Sequence, residues 1–247
     1  MAWILHSYAD NRMLVGELAS VIGRLLESAV QERGRASLAV SGGSTPRTLF
    51  EALSRLDLPW QQVTVTLVDE RWVDEDDAAS NAGLVRQALL QNRAAAAHFV
   101  GLKTEADSPF SAAATVDRRL RESVLDGALV GEAVMEKQGV LDVALLGMGE
   151  DGHVASFLPG ARGLSAALAR DPTEHCAAIE PPEPTLPRMT LTLGALLQAR
   201  HLLLHFIGPA KYAVLQEALR EGPQEELPVR AVLQRQHPLE IYYAEAI

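Results

Sequence analysis

The chain has 247 residues, enough for one large α/β domain with a sizeable core; 48% are hydrophobic and 22% charged, an ordinary globular balance. A formal net charge of −10 argues against nucleic acid or an anionic membrane as partner. It leaves room for a small anionic ligand, because charges are screened beyond roughly 8 Å at cellular salt and a few local cations can dominate a pocket. The single cysteine, Cys176, excludes an intrachain disulfide and suits a reducing compartment. The apolar run Trp3-Ile4-Leu5 is too short for a signal peptide, and no stretch approaches the roughly 20 apolar residues that span a bilayer, so a cytoplasmic location is expected.

In chain order, Asp10 is placed to cap a first helix whose Leu14, Leu18, Val21, Leu25 and Ala29 recur at helical spacing. Strand-like and helical patterns then alternate. Ser37 to Val40 precedes a helix from Pro46 to Leu56, and Val63 to Val68 precedes one from about Asn81 to Gln91. His98 to Leu102 is a short strand before an amphipathic helix around Ala112 to Leu129; Asp142 to Leu146 is a strand, with a helix near Leu164 to Ala169. Cys176 to Ile179, Met189 to Leu193 and Leu202 to Ile207 read as strands. Helices at Pro209 to Arg220 and Val229 to Leu233 precede a closing strand, Leu239 to Tyr243. With no long linker or repeat, one domain over 1–247 is expected: a parallel sheet with right-handed crossovers and helices on both faces. Ligands bind such sheets outside the carboxyl ends of the strands.

Three loops fall at such ends. Ser41-Gly42-Gly43-Ser44-Thr45-Pro46 joins a strand to a helix. Its glycines leave backbone N–H groups open, Pro46 suits the first helical position, and Ser44 or Thr45 can cap the helix, whose N-terminus favours anions. Without a Lys-[Ser/Thr] ending it is not a nucleotide P-loop, and the dinucleotide fingerprint is incomplete. The alternative is a well-capped tight turn. Asp69-Glu70-Arg71-Trp72 follows Val68; Arg71 can clamp phosphate or meet an oxyanion, or simply pair with Asp69 or Glu70. The acids Asp74 to Asp77 read as a solvated face.

The third loop, Gly147-Met148-Gly149-Glu150-Asp151-Gly152-His153, interleaves three glycines with two acids and ends on a histidine suited to proton transfer near neutral pH. Phosphate cradle, cation and proton shuttle thus converge on one edge of the sheet, which favours an enzyme site. Arg188 and Lys211 can complete it. Lys211 lies in the first turn of a helix, where it opposes the dipole and so wants an anion; Arg188 is as well explained by a surface ion pair, and Arg230 is a weaker candidate. His201 and His205 share a strand face but lack a third ligand, so no metal site is expected. His175 reads as core or surface, Cys176 lacks a nucleophile's surroundings, and neither a Gly-x-Ser-x-Gly elbow nor a His-Glu-x-x-His motif occurs.

Taken together, these three loops, with Ser80-Asn81, Ala155-Ser156, Pro159-Gly160, Arg188 to Thr192, Gly208 to Lys211 and Glu226 to Arg230, resemble the 6-phosphogluconolactonase family over nearly the whole chain in order. Phe157-Leu158 departs from the leucine-before-phenylalanine order frequent in that family, with apolar volume kept. The resemblance implies a doubly wound α/β, Rossmann-like fold and cofactor-free hydrolysis of 6-phospho-D-glucono-1,5-lactone. It implies His153 as general base, Asp151 as its orienting partner and Arg71 at the catalytic centre. The substrate's phosphate would lie against Ser41, Gly42, Gly43, Ser44 and Thr45, with Arg188 and Lys211. Which of the three cations faces phosphate and which the oxyanion stays open. A glucosamine-6-phosphate deaminase shares the Asp-Gly-His element but continues to Phe-Asn-Glu-Pro; here Val154-Ala155-Ser156-Phe157-Leu158-Pro159 lacks the acid. A non-catalytic sugar-phosphate-binding regulator would need no proton shuttle.

Overall fold

The computed structural model describes residues 3–43, 45–125, 140–170, 173–182, 185–235 and 237–246. Ser44 and the end of the helix expected at Ala112 to Leu129 lie outside them. Asp10 accepts from the Met13 N–H at 2.9 Å and caps helix α1 (Asn11–Arg33), which buries Leu14, Leu18, Ile22, Leu26 and Ala29. This stripe packs α1 across β1 (Trp3–Asp10), β2 (Ala36–Val40), β6 (Val143–Gly147) and β10 (Leu239–Ala246). Burial on both faces explains why β2, apart from Ser37, and β6 read as apolar runs rather than alternating ones.

With β3 (Val63–Leu67), β5 (His98–Val100) and β9 (His201–Ile207), these strands form a seven-stranded parallel sheet in the order β1-β10-β9-β6-β2-β3-β5. From β2 the chain moves outward to β3 and β5, returns to the other side of β2 as β6, and moves the opposite way through β9 and β10. Right-handed crossovers in opposite directions put helices on opposite faces, and the reversal between β2 and β6 opens a crevice at their carboxyl ends. Ser41 bridges that crevice: its N–H donates to Leu145 O at 3.0 Å, and its Oγ accepts from the Gly147 N–H at 3.2 Å.

The expectation of one sheet is corrected. Cys176–Ile179 (β7) and Arg188–Leu191 (β8) are not in the parallel sheet but form a separate antiparallel sheet with β4 (Asp69–Arg71), in the order β4-β8-β7. The segment read as the second loop is therefore a short strand. Apolar runs of four or five residues do not reveal which partner they pair with. Helix α2 (Arg47–Ser54) also departs from expectation: Pro46 is its N-cap residue rather than its first helical residue, and among the described residues no side chain, Thr45 included, caps it. The remaining helices are α3 (Asn81–Ala88), α4 (Pro109–Leu120), α5 (Leu164–Ala167), α6 (Leu193–Gln198), α7 (Pro209–Ala218) and α8 (Val229–Leu233). The first strand and α6 had no counterpart in the sequence reading. No helix among the described residues is long and apolar enough to cross a membrane.

Candidate active site

The cleft at the switch point is bounded by the loops after β2 and β6, the β4-β8 ribbon and the ends of β9 and α7, and encloses about 810 Å³ including its mouth. Ser41, Gly42, Gly43, Thr45, Arg71, His153, Arg188 and Lys211 all line it, so the residues expected to converge do so. Asp151 reaches the cleft through His153.

The turn from Gly147 to His153 is built on tight backbone contacts. The Gly149 N–H donates to His153 O at 2.9 Å, and the Gly152 N–H to Gly149 O at 3.1 Å. Gly152 takes φ +74, a left-handed conformation, and a Cβ there would strike Leu227. Its carbonyl accepts from the Val229 N–H at 2.9 Å, so the start of α8 braces the turn. His153 Nδ1 lies 2.5 Å from Asp151 Oδ1, which also accepts from the His153 backbone N–H at 3.2 Å. The hydrogen bond from His153 holds the Asp151 carboxyl down at about 2, so it is ionised at neutral pH. A carboxylate at Nδ1 favours the proton there and leaves Nε2 as the basic nitrogen. Ala155, also in the cleft wall, has φ 51, an uncommon conformation for a residue with a side chain.

Across the cleft, Arg71 of β4 and Arg188 of β8 are Cα partners in the antiparallel ribbon, so their side chains leave the same face side by side. Like charges directly opposed are destabilising unless an anion joins them. Arg71 does not pair with Asp69 or Glu70; its Nη1 donates to Ala79 O at 2.7 Å. Arg188 Nη1 stands 3.8 Å from Asp69 Oδ2. Burial lowers the Arg188 pKa, with the Arg71 charge adding to the effect and Asp69 opposing it. Nε of both arginines is buried without a hydrogen-bond partner. Lys211 also lines the cleft; burial lowers its pKa, against the opposing charge of Glu150.

The two acids beside Arg71 hold the frame. Glu70 is 1% exposed and caps α3, accepting from the N–H groups of Asn81 (2.8 Å), Ala82 (2.7 Å) and Arg71 (2.8 Å). Burial nevertheless raises its pKa. Asp69 accepts from Ser156 Oγ at 2.5 Å, and its backbone carbonyl from Asn81 Nδ2 at 2.7 Å. Asn81 in turn packs so closely on Gly42 that a Cβ at 42 would collide with its amide, and Gly43 has φ +96. The glycine loop thus leads into the start of α2 with no side chains at 42 and 43 to cover its backbone.

Asn81, Asp69 and His205 also line the cleft, although the sequence reading gave none of them a role there and set His205 aside as a metal ligand without a third partner. For His205 a signal existed: it interrupts the apolar run of a buried strand close to its carboxyl end. Arg230, by contrast, stays out of the cleft wall and donates to Pro223 O and Glu217 O at 3.1 and 3.4 Å. His175 is buried against Asp117, burial pushes the Cys176 thiol up to about 12, and neither lines the cleft. Among the described residues no group of three or more His, Cys, Asp or Glu is arranged to hold a metal ion.

The family model described as glucosamine-6-phosphate isomerases/6-phosphogluconolactonase matches residues 9–241. This chain belongs to that family. Within it, a 6-phosphogluconolactonase of Rhizobium meliloti (strain 1021) is 43% identical over 243 residues, covering 97% of this chain and 98% of the relative. One from Pseudomonas aeruginosa is 42% identical over 228 residues, covering 92% and 89%. The solved structure of a 6-phosphogluconolactonase from Shewanella baltica OS155 has a TM-score of 0.89 at 38% identity, covering 98% of this chain and 97% of that one. A monomeric glucosamine-6-phosphate deaminase has a TM-score of 0.75 at 17% identity, a likeness of fold alone.

Proposed function

We propose that this protein hydrolyses 6-phospho-D-glucono-1,5-lactone to 6-phospho-D-gluconate in the oxidative pentose phosphate pathway, as one domain, in the cytoplasm and without a metal or cofactor. The observation that carries the reading is His153, held by Asp151, on the rim of a cleft whose facing wall bears Arg71 and Arg188 in cross-strand register.

In this mechanism Nε2 of His153 takes a proton from a water molecule as it attacks the lactone carbonyl. The ionised Asp151 fixes the imidazole's orientation and offsets its charge once protonated. Arg71, anchored through Ala79 O, meets the oxyanion that forms on the carbonyl oxygen. Collapse of the tetrahedral intermediate breaks the bond to the ring oxygen, and His153 returns the proton to that oxygen. The base contributes about 10²–10⁴ in rate. The substrate's phosphate lies against the backbone N–H groups of Gly42, Gly43 and Thr45 at the open start of α2, with Arg188 and Lys211 supplying positive charge. An anion there relieves the repulsion between Arg71 and Arg188.

The test is acid release from freshly prepared lactone, coupled to a dehydrogenase that oxidises 6-phosphogluconate and corrected for spontaneous hydrolysis. Ammonia release from glucosamine 6-phosphate is measured alongside. Accelerated lactone opening without ammonia release is expected. Ammonia release alone overturns the proposal in favour of a deaminase, and binding without either reaction overturns it in favour of a regulator.

A further inference from the structure

Strand β9 runs Leu202-Leu203-Leu204 into the middle of the parallel sheet, then places His205 where its neighbours are leucine and phenylalanine. In register His205 faces Tyr242 on β10 and Gly147 on β6, and Gly147 has no side chain to cover it on the cleft side. The ring lines the cleft, yet the residue is 2% exposed and its Nε2 is buried without a hydrogen-bond partner. A leucine here would fill comparable volume with no polar atom to satisfy; an orphaned buried nitrogen is unfavourable unless something else meets it. The charge that acts on this ring is Lys211 at the start of α7.

We propose that His205 is a specificity-determining residue that hydrogen-bonds the phosphate-bearing end of the ligand beside Lys211. The inference rests on the lactonase reading above and adds a residue to its site. Burial, and secondarily Lys211, hold the imidazole down at about 4, so at neutral pH it contributes an N–H group and no charge. A neutral N–H donor next to a half-buried ammonium matches an oxyanion with several acceptor oxygens, which in a phosphorylated sugar lactone is the phosphate. A neutral donor adds no further repulsion to a wall that already holds Arg71, Arg188 and Lys211.

The experiment compares wild type with His205→Leu and His205→Gln. It measures KM and kcat for the phosphorylated lactone and for unphosphorylated glucono-1,5-lactone, and the dissociation constant of inorganic phosphate by calorimetry. His205→Leu is expected to raise KM for the phosphorylated lactone and weaken phosphate binding by about tenfold each, the weight of one hydrogen bond to a charged group. Its kcat should stay within about twofold, and the unphosphorylated lactone should be unaffected, because the proposed hydrogen bond is to the phosphate and not to the reacting carbonyl. His205→Gln, which restores an N–H donor, should recover part of the loss. Unchanged phosphate affinity in His205→Leu overturns the proposal, as do equal losses on both lactones or wild type that binds no phosphate. If His205→Leu fails to fold, the unbranched His205→Met takes its place. Phosphate affinity is read without turnover, so failure of this inference is distinguishable from failure of the lactonase reading, which shows as wild type that does not accelerate lactone opening.

Discussion

Replacing Gly149 by alanine tests whether the geometry of the His153–Asp151 pair, rather than the mere presence of its members, drives the reaction. Gly149 does not need a glycine's backbone freedom, since its φ lies outside the left-handed region. What it needs is space. A Cβ there would fall 2.5 Å from Asp151 Oδ1 and closer still to Cε1 and Nδ1 of His153, where ordinary contact begins at 3.4 Å. The pair must therefore move by about 1 Å, and it cannot do so as a unit because the new methyl group meets both partners. A displacement of about 1 Å at a reacting group costs on the order of 100-fold in rate, or about 2.7 kcal/mol of barrier. Gly149→Ala should thus lower kcat for lactone hydrolysis about 100-fold, with KM within about threefold, because the glycine loop and the cations on the other walls are untouched. Steady-state kinetics in the coupled assay supply both numbers, and a thermal melt confirms that the variant is folded. A folded variant with kcat within a factor of about five of wild type would refute the reasoning.

His153→Ala should remove about 10²–10⁴ of accelerated hydrolysis while leaving affinity for 6-phosphogluconate, measured by calorimetry, largely intact; near-wild-type turnover sinks the general-base assignment. Asp151 provides a pH test. Its carboxyl lies at about 2 in the folded protein against 3.8 ordinarily, chiefly through its hydrogen bond to His153. A depressed acid adds stability that is complete above the unfolded value and is lost as pH falls through the folded one, so the loss should occur between about 3.8 and 2. The side chain is 55% exposed, and screening holds the contribution below about 1 kcal/mol. A carboxylate NMR titration that places Asp151 at or above 3.8 contradicts the pairing. Glu70→Ala strips the acceptor from three backbone N–H groups, two at the start of α3 and that of Arg71 in β4, and urea denaturation should register a loss of about 3 kcal/mol or more; a loss under about 1 kcal/mol would show that water replaces the carboxylate.

Much of the site was legible because its chemistry is local in sequence. A turn of three glycines around Asp151 and His153 can do little but bring backbone, acid and imidazole together, and their contact spans two residues. The same holds for Gly42 and Gly43 before α2, and for Asp10 ahead of α1. What was missed depended on pairing between distant segments. Asp69-Glu70-Arg71 has too few residues to announce itself as a strand, and its partner β8 lies more than a hundred positions away. Glu70 read only as a possible ion-pair partner of Arg71, yet it is a buried cap of α3. Thr45, with good capping chemistry, does not cap α2, whose N-cap residue is Pro46.

The sequence by itself determined most of the alternation of strands and helices, the two glycine loops at the carboxyl ends of β2 and β6, and the candidate proton shuttle His153, because hydrophobic period and turn chemistry are written over a few consecutive residues. Tertiary structure alone decided that Arg71 and Arg188 stand side by side and that His205 is buried yet borders the cleft. It also decided that the reversal of strand order falls between β2 and β6. Each of these follows from which strands pair and in what register, and register is set by long-range packing that no local pattern encodes.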